Sequence, residues 1–417
     1  MSFKSSVREY FRESGRLNKN RLKKMVLNAP FWFIVIALVL IGFGVCRILV
    51  LTDARPEQYM AEVWGQGGSS SYRQVSVFAR GTRATGETSP MMYVDENTSL
   101  RKTDIPIIRQ SLQDAVDTGV QGRAKGLNSD GSPKGWEDCY STSFKASVSQ
   151  YTESVTDITT PVDGVEIIGV GGNFKAFHPF RYLSGGFLPE TVEDRYQVVL
   201  NDVLAWRFFN SYNVIGNKVT INGFDFTVVG VVEEGTSSVN KTVGATEPRA
   251  YIYFDTISII CTPDPSESGE TSEDEKSVVA IQCYEAILPE LVKGVAKTDI
   301  KNALPSYSFN DPQICVVSNT GRFFITNVWD WVYPVGESSA KLTAYEFPYW
   351  ETAAQLTEER LFFDYLLVAL GILLLLVGGI MIALKLRARK AVAPDELVVL
   401  NVEEIEGPDD ETLMLKA

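Results

Sequence analysis

Two stretches almost free of charge constrain this 417-residue chain more than any other feature: PFWFIVIALVLIGFGVCRILVL, Pro30 to Leu51, and YLLVALGILLLLVGGIMIAL, Tyr365 to Leu384. Each approaches the ~20 residues that a helix needs to cross a hydrocarbon core. Lys4, Arg8, Arg12, Arg16, Lys19, Arg21, Lys23 and Lys24 precede the first run, and Lys385, Arg387, Arg389 and Lys390 follow the second. Because basic flanks stay on the inner side, the pattern predicts a plasma-membrane protein with both termini cytoplasmic and residues 52–360 extracellular or periplasmic. The expected organisation is a basic amphipathic helix over 1–28, a span over 29–51, an outer domain over 52–360, a second span over 361–384 and a cytoplasmic tail over 385–417.

The first run is longer than the apolar core of a cleaved signal peptide, so it reads as an uncleaved anchor. Val45 before Cys46 is larger than the residue expected before a lipid-modified cysteine. Arg47 and Asp364 sit near the outer ends of the runs, where long side chains and carboxylates reach the water boundary. Gly371, Gly378 and Gly379 give the second run a face that another helix can approach closely. In the entry segment, Phe3, Val7, Tyr10, Phe11 and Ser14 share one helical face opposite arginines, which suits a helix lying on the inner leaflet.

Between the runs the pattern is that of a mixed α+β domain, expected to hold two subdomains. SYRQVSVFAR alternates as a strand, and TDIPIIRQSLQDAVDTG carries a capping Thr-Asp followed by helical spacing. CYSTSFKASVSQYTESVTD, GVEIIGVGGNF and RYQVVL read as further strands. NDVLAWRFFNS reads as a short helix capped by Asn201 or Asp202. In VIGNKVTINGFDFTVVGVVEE, Asn222-Gly223 stands between two alternating runs and predicts a hairpin with a type I′ turn.

Residues 185–234 resemble the extracytoplasmic core domain of MacB/FtsX-type ABC transporter permeases. The matching positions are Gly186-Phe187, the strand Val198 to Leu200, the helix Leu204 to Phe209, Ile215-Gly216 with Lys218, the turn Asn222-Gly223, and the strand from Phe226 through Val228 and Gly230 to Val231. The Asn18-Lys19-Asn20-Arg21 entry sequence and Tyr251-Ile252-Tyr253 are looser counterparts. The family usually has three helices after the outer domain, where this chain has one. The resemblance implies a permease-like or accessory subunit. It implies a cytoplasmic P-loop ATPase partner, a further permease subunit or homo-oligomer beside it, and an outer domain that transmits ATPase-driven movement or engages a substrate or partner. The alternative is a two-anchor surface receptor or adhesion module with no ATPase partner.

The chain has no GxxxxGK[ST] run, so ATP hydrolysis falls to a partner. His178 is the sole histidine, which excludes multi-histidine metal sites, and beside Pro179 it is expected as a ring in a turn or at the surface. Without HExxH, GxSxG or EF-hand patterns, no enzyme activity, metal site or cofactor is expected. A net charge of −13, with the basic clusters at the two ends, makes nucleic acid an improbable partner. Cys139, Cys261, Cys283 and Cys315 are candidate disulfide formers. Cys261 and Cys283 are placed to clip the base of an acidic loop; four buried free thiols are the competing reading. Trp329, Trp331, Tyr349 and Trp350 form an aromatic segment before the second run, read either as an interface for lipid, glycan or protein or as core.

Overall fold

The computed structural model describes residues 29–65, 71–84, 86–118, 135–152, 160–189, 192, 194–244, 246–261, 278–290, 292–305, 314–332 and 345–403, without the side chains of 330–332 and 389–403. The expected amphipathic helix over 1–28, the acidic loop at 262–277, the side chain of Trp331 and the end of the tail lie outside the described residues. The chain divides into two compact units, one being Val50–Phe362 and the other Met1–Leu49 with Phe363–Ala417.

The apolar runs form helices Ala29–Asp53 and Tyr349–Glu403. Both are long and apolar enough to cross a membrane; 25 residues at 1.5 Å each give the first about 37 Å. The glycines let them meet closely. A Cβ added to Gly371 would lie 2.7 Å from Ile41 Cγ1, one on Gly44 2.7 Å from Val368 Cγ2, and one on Gly378 3.0 Å from Ile34 Cγ1. The close-approach face anticipated for another helix is therefore taken by the first helix of the same chain. Arg47 Nε and Asp364 Oδ1, expected as separate interfacial charges, pair at 2.9 Å.

In the outer unit the strands are β1 (Tyr72–Phe78), β2 (Thr82–Arg83), β3 (Met91–Met92), β4 (Leu100–Arg101), β5 (Glu137–Gln150), β6 (Val162–Gly172) and β7 (Arg181–Gly185). They continue with β8 (Gln197–Asn201), β9 (Lys218–Ile221), β10 (Phe224–Glu233), β11 (Arg249–Tyr253), β12 (Ala280–Ile281), β13 (Cys283–Pro289) and β14 (Cys315–Ser318). One sheet runs β14-β1-β13-β5-β6-β11-β8-β10-β7. Since β9 pairs with both β10 and β5, the pairing from β5 through β10 returns on itself. The sheet is mixed, with β6 parallel to β11 and β8 parallel to β10. This continuous sheet, and the single compact unit built on it, replace the two subdomains expected from sequence.

Strand alternation divides the buried residues into two clusters. The first holds Val75, Val77, Phe144, Val165, Ile167, Leu200, Phe226, Ala250, Tyr284 and Ala286. Helix Ile105–Thr118 covers it with Ile105, Ile108, Leu112 and Val116, one apolar stripe at helical spacing. Helices Asp202–Phe209, Phe254–Ile260 and Val295–Ala303 add Leu204, Ile257 and Ile300. RAYIYFDTISII splits into β11 and a helix at Tyr253/Phe254. Asn201 caps the helix that follows it, its side chain accepting from Leu204 N at 3.0 Å. The second cluster uses alternate residues of the same strands, such as Phe78, Ile168 and Tyr251, with Phe174 and Phe177 from the helix Phe174–Phe177 and Trp350 from the start of the second apolar helix.

Candidate functional site

The second face of the sheet is unusual in what it buries. At the positions between the apolar residues of the first cluster, β1 carries Gln74 and Ser76, β11 carries Arg249, and β13 carries Glu285, all at most 2% exposed. Buried polar groups persist only when they are partnered. Here the partners come from strands and turns distant in sequence and, for Arg249, also from Tyr349 at the start of the second apolar helix.

Arg322 is the centre of the first assembly. Its Nε donates to Glu358 Oε1 at 2.7 Å and Nη2 to Glu358 Oε2 at 3.2 Å. Nη1 and Nη2 reach the two Glu351 oxygens at 2.8 and 3.0 Å, and Nη1 also donates to Gln58 Oε1 at 3.1 Å. Burial pulls the guanidinium pKa down, but the two carboxylates outweigh it and hold the group above its ordinary range. Gln58 follows the first apolar helix, and Glu351 and Glu358 lie in the opening turns of the second, ahead of its apolar run, so one cation ties both segments to the unit.

A second assembly lies on β11. Arg249 Nε donates to Glu166 Oε2 at 2.6 Å, and Nη1 pairs with Glu234, the second of the two glutamates that end the hairpin run. Tyr251 Oη donates to Glu234 Oε1 at 2.5 Å and lies 3.2 Å from Tyr349 Oη. The Arg249 guanidinium stacks over the Tyr349 ring at 3.9 Å. Burial pushes the Glu234 carboxyl up. Arg55, just after the first apolar helix, donates to Ser237 Oγ at 2.8 Å and to Asn240, while Arg360 Nη1 donates to Ser238 Oγ at 3.1 Å.

The third assembly surrounds His178. Its Nε2 is 2.7 Å from Glu285 Oε2, and Cys139 Sγ lies 3.9 Å from the same oxygen. Ser76 Oγ donates to Glu285 Oε1 at 2.7 Å, and Gln74 Nε2 approaches that atom at 3.4 Å. Burial pushes the Glu285 carboxyl up, but His178, Ser76 and Gln74 together hold it below its usual value. Burial, reinforced by Glu285, pushes the Cys139 thiol well up. Ser76, Glu285 and Cys139 form one row across β1, β13 and β5, and that row ends on Gly172 of β6. There φ is +68° and a Cβ would lie 2.6 Å from Asp138 O, so glycine permits the turn that leads into Phe174–Phe177 and His178. The ring stacks on Phe174 at 4.2 Å and lies 4.6 Å from Trp350. His178 lies in the turn that closes Phe174–Phe177, but at 5% exposure it is buried and not at the surface. No local pattern signals this burial, because its partners lie 39 and 107 residues away.

The hairpin residues fall on β9 and β10. Asn222 (φ 49°) and Gly223 (φ 84°) have the two positive angles of a type I′ turn. Phe226 and Val228 are fully buried, Lys218 lies 5.3 Å from the Tyr151 ring, and Ile215 is exposed. Gly216 has φ 84° with open space at its Cβ, whereas a Cβ on Gly230 would lie 1.9 Å from Gly186 O. Gly230 also follows the register shift between β10 and β8. Phe187 stacks with Phe180 and Phe174.

Cys139, Cys261, Cys283 and Cys315 are free thiols, which corrects the disulfide reading. Cys261 packs against the first cluster and Cys283 belongs to the second, so the sheet separates the pair expected to clip the loop. Of the aromatic segment, Trp350 is core, Tyr349 joins the Arg249 assembly, and Trp329 is exposed beside Phe362 at 5.5 Å.

A family model described as the MacB-like periplasmic core domain matches residues 91–305, just over half of the chain. Two solved structures are similar to it. One is the periplasmic region of MacB from Actinobacillus actinomycetemcomitans, at 14% identity and a TM-score of 0.36, covering 60% of this chain and 90% of that one. The other is the extracellular domain of the noncanonic ABC-type transporter YknZ from Gram-positive bacteria, at 13% identity and a TM-score of 0.34, covering 58% and 99%. No curated protein matches.

Proposed function

This chain belongs to the family of the MacB-like periplasmic core domain, and from that premise we propose that it is a permease-like or accessory membrane subunit of an ABC transporter complex. Its outer unit transmits movement driven by a cytoplasmic P-loop ATPase, or engages a substrate or partner outside. Both termini lie in the cytoplasm, with the basic residues before Ala29 and after Leu384 on the inner side. It works beside a further permease subunit or a second copy of itself.

The observation that carries this reading is the Arg322 assembly. A lever needs a stiff joint. Gln58 and the Glu351/Glu358 pair adjoin different apolar helices, and both are held by one buried guanidinium whose five N–H groups are all engaged. Displacement of either segment is therefore passed to the sheet rather than absorbed in a loose linker.

The test is gentle purification of the full chain from its native membranes. Retention of a P-loop ATPase, lost on deletion of residues 2–24, is the expected result. Repeated recovery of intact chain without an ATPase, together with outer-ligand binding unchanged by that deletion, would instead favour a two-anchor receptor or adhesion module.

A further inference from the structure

We propose that Cys139, His178 and Glu285 form a binding site for a divalent transition-metal ion of the zinc type, with the thiolate, the imidazole Nε2 and one carboxylate oxygen as ligands. This goes beyond the transport reading and does not rest on it.

The donor set is the first argument. Sulfur, imidazole nitrogen and carboxylate oxygen are the three ligand types that zinc accepts, and here their atoms lie within 4.8 Å of one another. All three residues are at least 95% buried. A tetrahedral ion with bonds of roughly 2.0–2.3 Å sets its ligands roughly 3.3–3.7 Å apart. The Cys139–Glu285 separation of 3.9 Å is near that range, and the His178–Glu285 separation of 2.7 Å needs to open by less than ~1 Å. Small rotations of two side chains supply that.

Charge is the second argument. A divalent cation held by one thiolate and one carboxylate is neutral overall, the condition that a buried site needs. On binding, the Cys139 S–H bond breaks and its proton leaves to solvent. The Nε2–H bond that reaches Glu285 also breaks, and its proton is replaced by one taken up at Nδ1, so the ring stays neutral with Nε2 free to bind the ion. Three metal–ligand bonds form and nothing is oxidised or reduced.

The third argument is independent of the ligands. Three side-chain atoms around the cluster are buried with no hydrogen-bond partner among the described residues: Gln74 Oε1, Asn319 Oδ1 and Trp350 Nε1. Gln74 contacts Glu285, Asn319 donates to Ser76 Oγ at 2.8 Å, and the Trp350 ring packs on His178. Two orphaned acceptors and one orphaned donor, on residues that touch Glu285, Ser76 and His178, leave polar capacity around the cluster for a further species. A water on the fourth metal position is one such species.

The support around the ligands suits such a site. Ser76 and Gln74 hold the Glu285 oxygen that is not shared with His178, while Phe174 and Trp350 fix the ring. The three ligands come from β5, β13 and the turn after Phe174–Phe177, so the ion would cross-link parts of the chain distant in sequence.

The experiment uses the full chain in detergent, purified on a tag without histidine, stripped with a chelator, and loaded with Zn²⁺ or Co²⁺. The expected result is about one ion per chain by elemental analysis. The Co²⁺ form should also show a thiolate-to-cobalt charge-transfer band together with tetrahedral visible bands. Cys139→Ser should abolish the charge-transfer band, His178→Gln should weaken Co²⁺ binding at least ~10-fold, and Cys261→Ser, on the opposite face of the sheet, should change neither. The wild-type spectrum decides the matter even if a variant fails to fold. Stoichiometry below ~0.1 ion per chain, a cobalt spectrum without a thiolate band, or a band that survives Cys139→Ser would each overturn the proposal.

Discussion

Replacing Arg322 with methionine removes the cation while keeping much of the side chain's volume. It leaves Glu351 and Glu358, 1% and 3% exposed, without the guanidinium that binds both. Breaking a buried ion pair from one side costs about 3–5 kcal/mol, because the remaining charge stays buried after its bound partner is lost. With ~2.1 cal/mol/K of unfolding entropy per residue, a unit of about 310 residues loses about 1.5 °C per kcal/mol, so Arg322→Met should lower Tm by about 5–8 °C. The assay is thermal unfolding of the full chain in detergent, followed by tryptophan fluorescence. Two comparisons isolate the cause. Arg322→Met combined with Glu351→Gln and Glu358→Gln should return to within about 2 kcal/mol of the parent, since neutral amides bear a smaller burial cost. Lys102→Met, which breaks the half-exposed pair with Asp255, should cost at most about 1 kcal/mol. A loss under about 1 kcal/mol for Arg322→Met, or a triple variant no more stable than the single one, would refute the claim that paired buried charge holds this joint.

Gly230→Ala should destabilise the unit by more than about 2 kcal/mol, since its Cβ meets the backbone oxygen of Gly186; Gly216→Ala, strained at positive φ but in open space, should cost about 1–2 kcal/mol. Chemical denaturation of the two variants side by side checks the order. Burial pushes the thiols of Cys261 and Cys315 up to about 12, so their thiolate fraction at pH 8 is low and climbs about tenfold with each pH unit until near that value. Thiol labelling at pH 8 should therefore be slow until the chain is unfolded, and intact mass under non-reducing conditions should show no disulfide. Gly371→Leu should separate the two apolar helices, whereas Gly379→Leu, with nothing within 4 Å of its Cβ, should not; cross-linking between cysteines introduced at Ile41 and Leu370 distinguishes them.

By itself the sequence determined what depends on near neighbours. Uninterrupted apolar runs make the two long helices whatever surrounds them. Asn222-Gly223 forms its turn because both angles are positive, and Asn201 caps a helix three residues away. The stripe Ile105, Ile108, Leu112 and Val116 shows which face of its helix is buried, because helical spacing is a local property. Which residues face one another across the sheet was decided by tertiary structure alone. Arg322 meets Gln58 across 264 residues, and His178 meets Glu285 across 107. Apolar neighbours in sequence show that Cys261 and Cys283 can each be buried, but strand order and helix placement put them on opposite sides of the sheet. A charged side chain in a strand looks the same in sequence whether it meets water or a buried partner, and the distinction appears only when the distant segment that covers it is in place.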